Sequence, residues 1–314
     1  TNYTIINDSL VLMYNFDNRS ELGENDTDVF DVSGNGNNGS VTGAKVNTTD
    51  CKFGNCMFFD GTGDYVSMGD SLDQFGSFSI EAWFYPKDIS INGGRLVIKD
   101  DTSNGWAFSI GDGGSSGRLR FFIRGASVIV TDADGVLSND NWYHGVAVFD
   151  TEANTKTIYL NGSQVAQDTS VTGDPVDNSA KLGIGRDPDG SSGVGFNGLI
   201  DEVRIYNRSL SAEEVNQLYM TNLYKYNQTD WVLYVNQSKN STDGLDAGDY
   251  TYYVSAEDTS GNFNQTQERT ITVTASLGFV SVSGCMELNN SGTIYRLANN
   301  VTNTTTCFTV TKGN

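Results

Sequence analysis

Apolar and polar side chains alternate with a period of two along most of this chain, in short runs punctuated by Gly, Asp and Asn. That is the pattern of half-buried β-strands joined by tight turns. The runs are LVLMYNF from Leu10, CMFFD and DYVSM, then SFSIEAWFYP, RLVIKD, GWAFSIGD, GRLRFFIRG, ASVIVTD, NWYHGVAVFD, KTIYLNGSQVA and AKLGIG. CMFFDGTGDYVSM reads as a hairpin around a tight Asp-Gly turn. About a dozen strands in one uninterrupted region exceed a single immunoglobulin-type domain and predict an all-β, antiparallel two-sheet sandwich.

The stretch Phe196 to Tyr219 reads as a strand entering a short helix. Strict alternation places Leu199, Val203 and Ile205 on one face, and Ile200, Glu202, Arg204 and Tyr206 on the other. Asp201 then falls on the apolar face, where an unpaired carboxylate needs a cation, a base or donated N–H groups. Ser211 and Glu214 spell a capping box, with Leu210 and Val215 as its hydrophobic staple. A domain is expected to end here.

Composition narrows the class. Of 314 residues 37% are hydrophobic, with Gly 35 and only Pro 3, which suits turns and strands and leaves little helix. A net charge of −20 argues against nucleic acid as a partner, because phosphate binding needs clustered Lys and Arg. No apolar run reaches the ~20 residues of a membrane span, and the N-terminus lacks a basic and apolar leader, so a mature chain or a fragment is expected. Asn-x-Ser/Thr sequons stand at Asn2, Asn7, Asn18, Asn25, Asn38, Asn47, Asn161, Asn207, Asn227, Asn236, Asn240, Asn264, Asn289, Asn300 and Asn303. Their density is that of a glycosylated extracellular or cell-surface protein. Four cysteines fit the same compartment, and two local disulfides, Cys51 with Cys56 and Cys285 with Cys307, are the economical pairing. With His144 the only histidine and no C-x-x-C pair, a zinc site lacks ligands.

The succession YNFD, DVSGNGNNG, FDGTGDYV, SFSIEAWFYP, NWYHGVAVFDTEANTKTIYLNG, KLGIGR and NGLIDEVRIYNRSLSAEEV resembles the laminin-G-like branch of the concanavalin A-like lectin/glucanase superfamily over residues 10–220. The resemblance implies a curved antiparallel jelly roll whose first and last strands lie side by side. Residues 1–9 are a further strand or a linker. Residues 221–275, with WVLYVNQS, GLDAGDYTYYVSAEDTSGN and ERTITVT, resemble a small immunoglobulin- or fibronectin-III-like β-sandwich of archaeal and bacterial surface proteins. The segment 276–314 reads equally as a disulfide-closed hairpin or as the opening of a parallel β-helix.

For chemistry, Asp60 precedes a Gly-x-Gly turn that brings Asp64 near, and carboxylates with turn carbonyls are the oxygen set calcium takes. The family commonly holds a structural calcium ion on the acids that correspond to Asp60 and Asp201, so Asp60, Asp64 and Asp201 are the expected Ca2+ ligands. Asp31, Asn35 and Asn37 read as turn formers. The Glu-x-Asp-x-x-Glu strand of the superfamily's glucanases is absent, and Asp201 and Glu202, as neighbours on a strand, cannot flank one glycosidic bond. The chain is not expected to be an enzyme, and no catalytic residue is assigned. Trp106, Arg120 and Arg124, on adjacent strands with Phe121, form the candidate platform for a sugar. The expected function is recognition or adhesion at a cell surface, with carbohydrate or a surface glycoprotein as partner. The competing expectation is a structural subunit of a filament or surface layer that joins copies of itself by strand exchange.

Overall fold

The computed structural model describes the chain apart from residues 1–5, 7, 74–75, 126–127, 170, 172–174, 191–193, 229–230, 236–247, 253–254, 258–262, 274–278, 283–285, 289–293, 298–307 and 311–314. Two units emerge, residues 1–236 and 237–314. The hairpin at 221–235, which sequence groups with the second module, therefore belongs with the first unit.

Unit one is built from β1 (Leu10–Tyr14), β2 (Asp28–Val29), β3 (Gly39–Thr42), β4 (Lys45–Asn47), β5 (Cys56–Asp60), β6 (Tyr65–Ser67), β7 (Phe78–Pro86), β8 (Gly94–Asp100) and β9 (Gly105–Ile110). The chain continues through β10 (Leu119–Arg124), β11 (Val128–Ala133), β12 (Tyr143–Asp150), β13 (Thr155–Leu160), β14 (Ser163–Asp168), β15 (Gly183–Ile184), β16 (Val194–Gly195) and β17 (Asn197–Tyr206). Helix α1 (Ala212–Met220) and the hairpin β18 (Thr221–Lys225) and β19 (Trp231–Val235) complete it.

The strands form an eight-stranded sheet in the order β14-β13-β12-β7-β17-β5-β4, with β1 also on β17, and a nine-stranded sheet in the order β11-β10-β9-β8-β15-β6-β3-β2, with β16 on β8. The two pack face to face as a jelly roll around Phe59, Phe78, Phe84, Trp106, Phe108, Phe121, Phe149 and Phe196. The first and last strands of the roll pair antiparallel, Leu10 opposite Tyr206 and Tyr14 opposite Val203.

Two local readings are corrected. CMFFDGTGDYVSM is not a hairpin: β5 pairs with β17 and β4, β6 with β3 and β15, so the turn crosses from one sheet to the other. On β17 the strict alternation breaks, because Asp201 pairs with Trp83 and Arg204 with Glu81, which sets two residues, Glu202 and Val203, against the single Ala82. Glu202, at φ 49°, is the extra residue of a β-bulge. Ile200, Val203 and Ile205 consequently face the core together, while Arg204 faces the other side.

That other side is covered. Ser211 caps α1 by accepting from the Glu214 N–H, with the reciprocal bond from the Ser211 N–H to Glu214. Leu210, Val215 and Leu218 then pack on Val146, Val148, Tyr159 and Tyr206 of the sheet's outer face, where Ile6 joins them. Unit two contains antiparallel pairs of Gly248–Tyr252 with Arg269–Val273 and of Ser255–Glu257 with Phe263–Gln265. It also contains parallel pairs of Phe279–Val282 with Ile294–Leu297 and of Met286–Leu288 with Phe308–Val310. Cys285 and Cys307 lie outside the described residues, as do Asn2, Asn7, Asn236, Asn240, Asn289, Asn300 and Asn303. Asn18, Asn25, Asn38 and Asn207 are exposed.

Candidate functional site

Strand β10 sorts its residues by parity. Leu119, Phe121 and Ile123 enter the core, and Arg120, Phe122 and Arg124 stand on the outer face of the nine-stranded sheet. Trp106 pairs directly with Ile123 and is buried against Phe78, so it is a core residue and not a platform beside Arg120 and Arg124. Phe121 is core for the same reason. The aromatic ring that does lie with these arginines is Phe122, which sequence reasoning passed over although its parity with Arg120 and Arg124 was visible.

Phe122 packs on Ile98 and Ala107, with the Arg95 guanidinium 5.2 Å and the Arg124 guanidinium 4.7 Å from its ring centre. Around it runs a ladder of alternating charge. Arg120 holds Asp132 with two bonds, Nε to Oδ1 at 2.6 Å and Nη2 to Oδ2 at 2.7 Å. Arg118 bridges Asp132 and Asp134, Arg95 Nη1 reaches Asp112 Oδ2 at 2.5 Å, and Arg124 Nη1 reaches Asp100 Oδ2 at 2.6 Å. Burial raises the Asp112 carboxyl, but the Arg95 charge and hydrogen bond outweigh it and hold the group below its ordinary value. Such fork-to-fork pairs fix donors and acceptors in one plane. The arginine and aspartate side chains at 118, 120, 124, 132 and 134 keep between 13% and 62% of their surface exposed, so the ladder is open to solvent.

The outer face of the eight-stranded sheet is different: its acids are enclosed. Arg204 Nη1 donates to Glu81 Oε1 at 2.8 Å, and Arg204 Nη2 to Glu202 Oε2 at 2.9 Å, Asn222 Oδ1 at 2.5 Å and the Leu223 carbonyl at 3.1 Å. His144 Nε2 meets Glu81 Oε1 at 3.1 Å, and Asn15 and Asn222 donate to Glu202. Burial pushes Glu81 up, yet Arg204 and His144 bring it below its ordinary value. Burial lifts Glu202 to about 8 against the pull of Arg204. None of these acids reaches solvent, so none can contact a glycosidic bond.

The expected calcium ligands do not converge. Asp60 pairs with Asn197, four residues before Asp201 on β17, which separates the two acids by about 13 Å of strand. Asp60 is exposed and accepts from the Thr62 N–H and hydroxyl, and Asp64 accepts the Asp60 N–H at 2.9 Å within the same turn. Among the described residues no three His, Cys, Asp or Glu side chains are grouped to hold a metal. The donor set of Asp60, Asp64 and Asp201 does not fit one ion. Cys51 and Cys56 are joined, and their loop packs over Asp201.

Residues 60–216, half of the chain, match a family model described as the concanavalin A-like lectin/glucanases superfamily, of laminin-G type. Domain 4 of AbnA, an extracellular GH43 arabinanase from Geobacillus stearothermophilus solved with arabinotriose, is 22% identical with a TM-score of 0.54 over 67% of this chain and 98% of that one. The botulinum neurotoxin serotype G binding domain is 17% identical with a TM-score of 0.51, covering 67% of this chain and 50% of that one. The binding domain of Paraclostridial Mosquitocidal Protein 1 is 16% identical with a TM-score of 0.52, covering 83% and 64%. The chain thus spans between half and two thirds of these two toxin domains. At these identities the likeness is one of fold. No curated protein matches the sequence at a significant level.

Proposed function

The chain belongs to the concanavalin A-like lectin/glucanases superfamily, and from that premise we propose that it is a non-catalytic carbohydrate-binding protein of the cell exterior, with the jelly roll as its recognition domain. The observation that carries the reading is the ladder of Arg118, Arg120, Arg124, Asp132 and Asp134 around Phe122. Paired guanidinium and carboxylate groups offer donors and acceptors at fixed spacing to sugar hydroxyls, and bind without the substrate strain that hydrolysis needs. The arabinotriose complex of AbnA domain 4 and the toxin binding domains support it as relatives in fold that bind. So does the formed Cys51–Cys56 disulfide, which belongs to an oxidising compartment.

A glycan array and titration calorimetry test the proposal. Intact chain binds at least one neutral oligosaccharide, and Arg120→Ala with Arg124→Ala weakens it about tenfold or more. Unchanged affinity in that double variant would remove the ladder from the site. Adhesion to a surface glycoprotein follows if the bound glycan is one that such proteins carry.

A second reading, the structural subunit, has its own observation. Strand β19, WVLYV, carries no charged residue and exposes Trp231, Leu233 and Tyr234 on a two-stranded ribbon, the kind of edge that pairs with another chain. Electron microscopy of the protein from its native source separates the readings: ordered filaments or sheets favour the subunit, and dispersed particles the binding protein.

A further inference from the structure

His144, Trp83 and Asp201 stand side by side on the adjacent strands β12, β7 and β17, since Trp83 pairs directly with both. Directly paired residues share a face, so the three form one row on the outer side of the eight-stranded sheet. The row is buried, and His144 Nδ1, Trp83 Nε1 and Asp201 Oδ1 have no hydrogen-bond partner among the described residues. Each unmet group of this kind costs about 1–3 kcal/mol. With His144 Nε2 donating to Glu81, a ligand that donates N–H groups can meet His144 Nδ1 and Asp201 Oδ1, whereas the Trp83 N–H is itself a donor and such a ligand meets only the ring face.

What lies over the row shows the chemistry. The loop closed by Cys51 and Cys56 brings the Phe53 N–H to Asp201 Oδ2 at 3.0 Å and the Phe53 ring edge-on to Trp83 at 5.8 Å. Tyr219 of α1 stacks on Trp83 at 5.8 Å, and Tyr234 of β19 meets Phe53 at 5.4 Å. Into these rings goes Lys52, whose Nζ stands 4.0 Å from the centre of the Trp83 ring and 5.7 Å from that of Phe53. An ammonium held among aromatic faces is how proteins recognise organic cations. Burial, with Glu202 beside it, holds the Asp201 carboxyl well above its ordinary value, so its Oδ1 offers an acceptor for a donated N–H rather than a fixed negative charge. Here the cation is the chain's own. Lys52 is only half-buried, so it is the side through which another ammonium group would arrive, and a net charge of −20 draws cations to the molecule.

We propose that Trp83, Phe53 and Asp201 form a binding site for the ammonium group of an amino sugar, which Lys52 fills as an intramolecular stand-in. The choice of an amino sugar rests on the carbohydrate reading above; the aromatic cage itself does not. A tethered occupant competes at an effective concentration in the millimolar range, so its removal strengthens binding of a free amine.

The test titrates the intact chain, Lys52→Ala and Lys52→Ala with Trp83→Phe with glucosamine oligomers, N-acetylglucosamine oligomers and tetramethylammonium, followed by the indole NMR signals. Lys52→Ala is expected to bind glucosamine oligomers and tetramethylammonium about tenfold more tightly than the parent. Acetylated oligomers, which lack the charge, gain nothing, and Trp83→Phe erases the gain. Lys52→Gln, which keeps the stem without the charge, moves in the same direction as Lys52→Ala. Failure of every amine to bind Lys52→Ala overturns the proposal, and if a neutral glycan still binds through Arg120 and Arg124 the carbohydrate reading stands without it. Tetramethylammonium binding without glucosamine overturns the amino sugar. Calcium that raises the melting midpoint of the parent but not of Asp201→Asn would put a metal ion where the amine is proposed, and would overturn it also.

Discussion

Arg204 Nη1 stands 2.8 Å from Glu81 Oε1 on the neighbouring strand, and both side chains are enclosed between the eight-stranded sheet and the segment that follows it. The same guanidinium holds Glu202 across the bulge and the side chain and backbone of Asn222 and Leu223. One residue thus neutralises Glu81, holds Glu202 by a hydrogen bond and ties β18 to the sheet.

Arg204→Met is accordingly expected to destabilise unit one by about 3–5 kcal/mol, because removal of one partner leaves the buried Glu81 carboxylate uncompensated. Arg204→Lys recovers only part of that, since a lysine has no fork to reach Glu81 and Glu202 together. Urea unfolding measures both. A loss below about 1 kcal/mol would mean that water reaches Glu81.

Much of this fold was legible in the chain. Alternation, turn residues and the order of motifs identified the jelly roll, and the capping box at Ser211 placed α1. What alternation could not show is where it stops. Glu202 inserts one residue into β17 and shifts every later side chain to the opposite face, and the letters IDEVRIY carry only an indirect trace of it, the carboxylate of Asp201 that strict alternation puts on the apolar face. The turn at Gly61 reads as a hairpin because a hairpin and a crossing between sheets use the same Asp-Gly signal. Residue type alone suggests a surface platform at Trp106, whereas its pairing with Ile123 puts it in the core. The row of His144, Trp83 and Asp201 exists only through register between strands distant in sequence.

The Cys51–Cys56 disulfide closes a ring of six residues and keeps Lys52 and Phe53 over Trp83. In the chain-entropy account a ring of that size contributes about 2 kcal/mol. Replacing both cysteines with serine is expected to lower stability by about that amount. It should also redshift the emission of Trp83 by admitting water. Unchanged fluorescence together with a lower midpoint would show that Phe53 and Tyr219 alone seal the indole.

The Ser211 hydroxyl accepts the Glu214 N–H at 3.2 Å, while the Glu214 carboxylate returns a bond to the Ser211 N–H and pairs with Arg208 at 2.7 Å. Ser211→Ala is expected to cost about 1 kcal/mol. Amide exchange should speed up in α1 and leave β7 and β12 untouched, because the helix rests on the sheet and not the reverse. Equal acceleration in the sheet would mean that α1 and the sheet unfold as one.

Lys156 of β13 is buried with its Nζ 5.4 Å from the centre of the Phe121 ring. Burial lowers its pKa to about 7, against the pull of Asp168 and Asp132 and with the help of Arg120. In the unfolded chain a lysine holds its proton up to about pH 10.4. Between pH 7 and that value the unfolded state binds one more proton than the folded state, so stability rises with pH across this window; below pH 7 both states are charged and the full cost of burying the ammonium remains. Lys156→Met removes the titration. Relative to the parent the variant is expected to stand highest at pH 6, where the parent's buried ammonium carries its full desolvation cost. That advantage should shrink by at most about 1.4 kcal/mol per pH unit between pH 7 and pH 10. Urea midpoints of both proteins at pH 6 and pH 9 decide it. Parallel pH profiles would show that Lys156 keeps its proton in the folded protein, with Asp168 and Asp132 compensating for its burial.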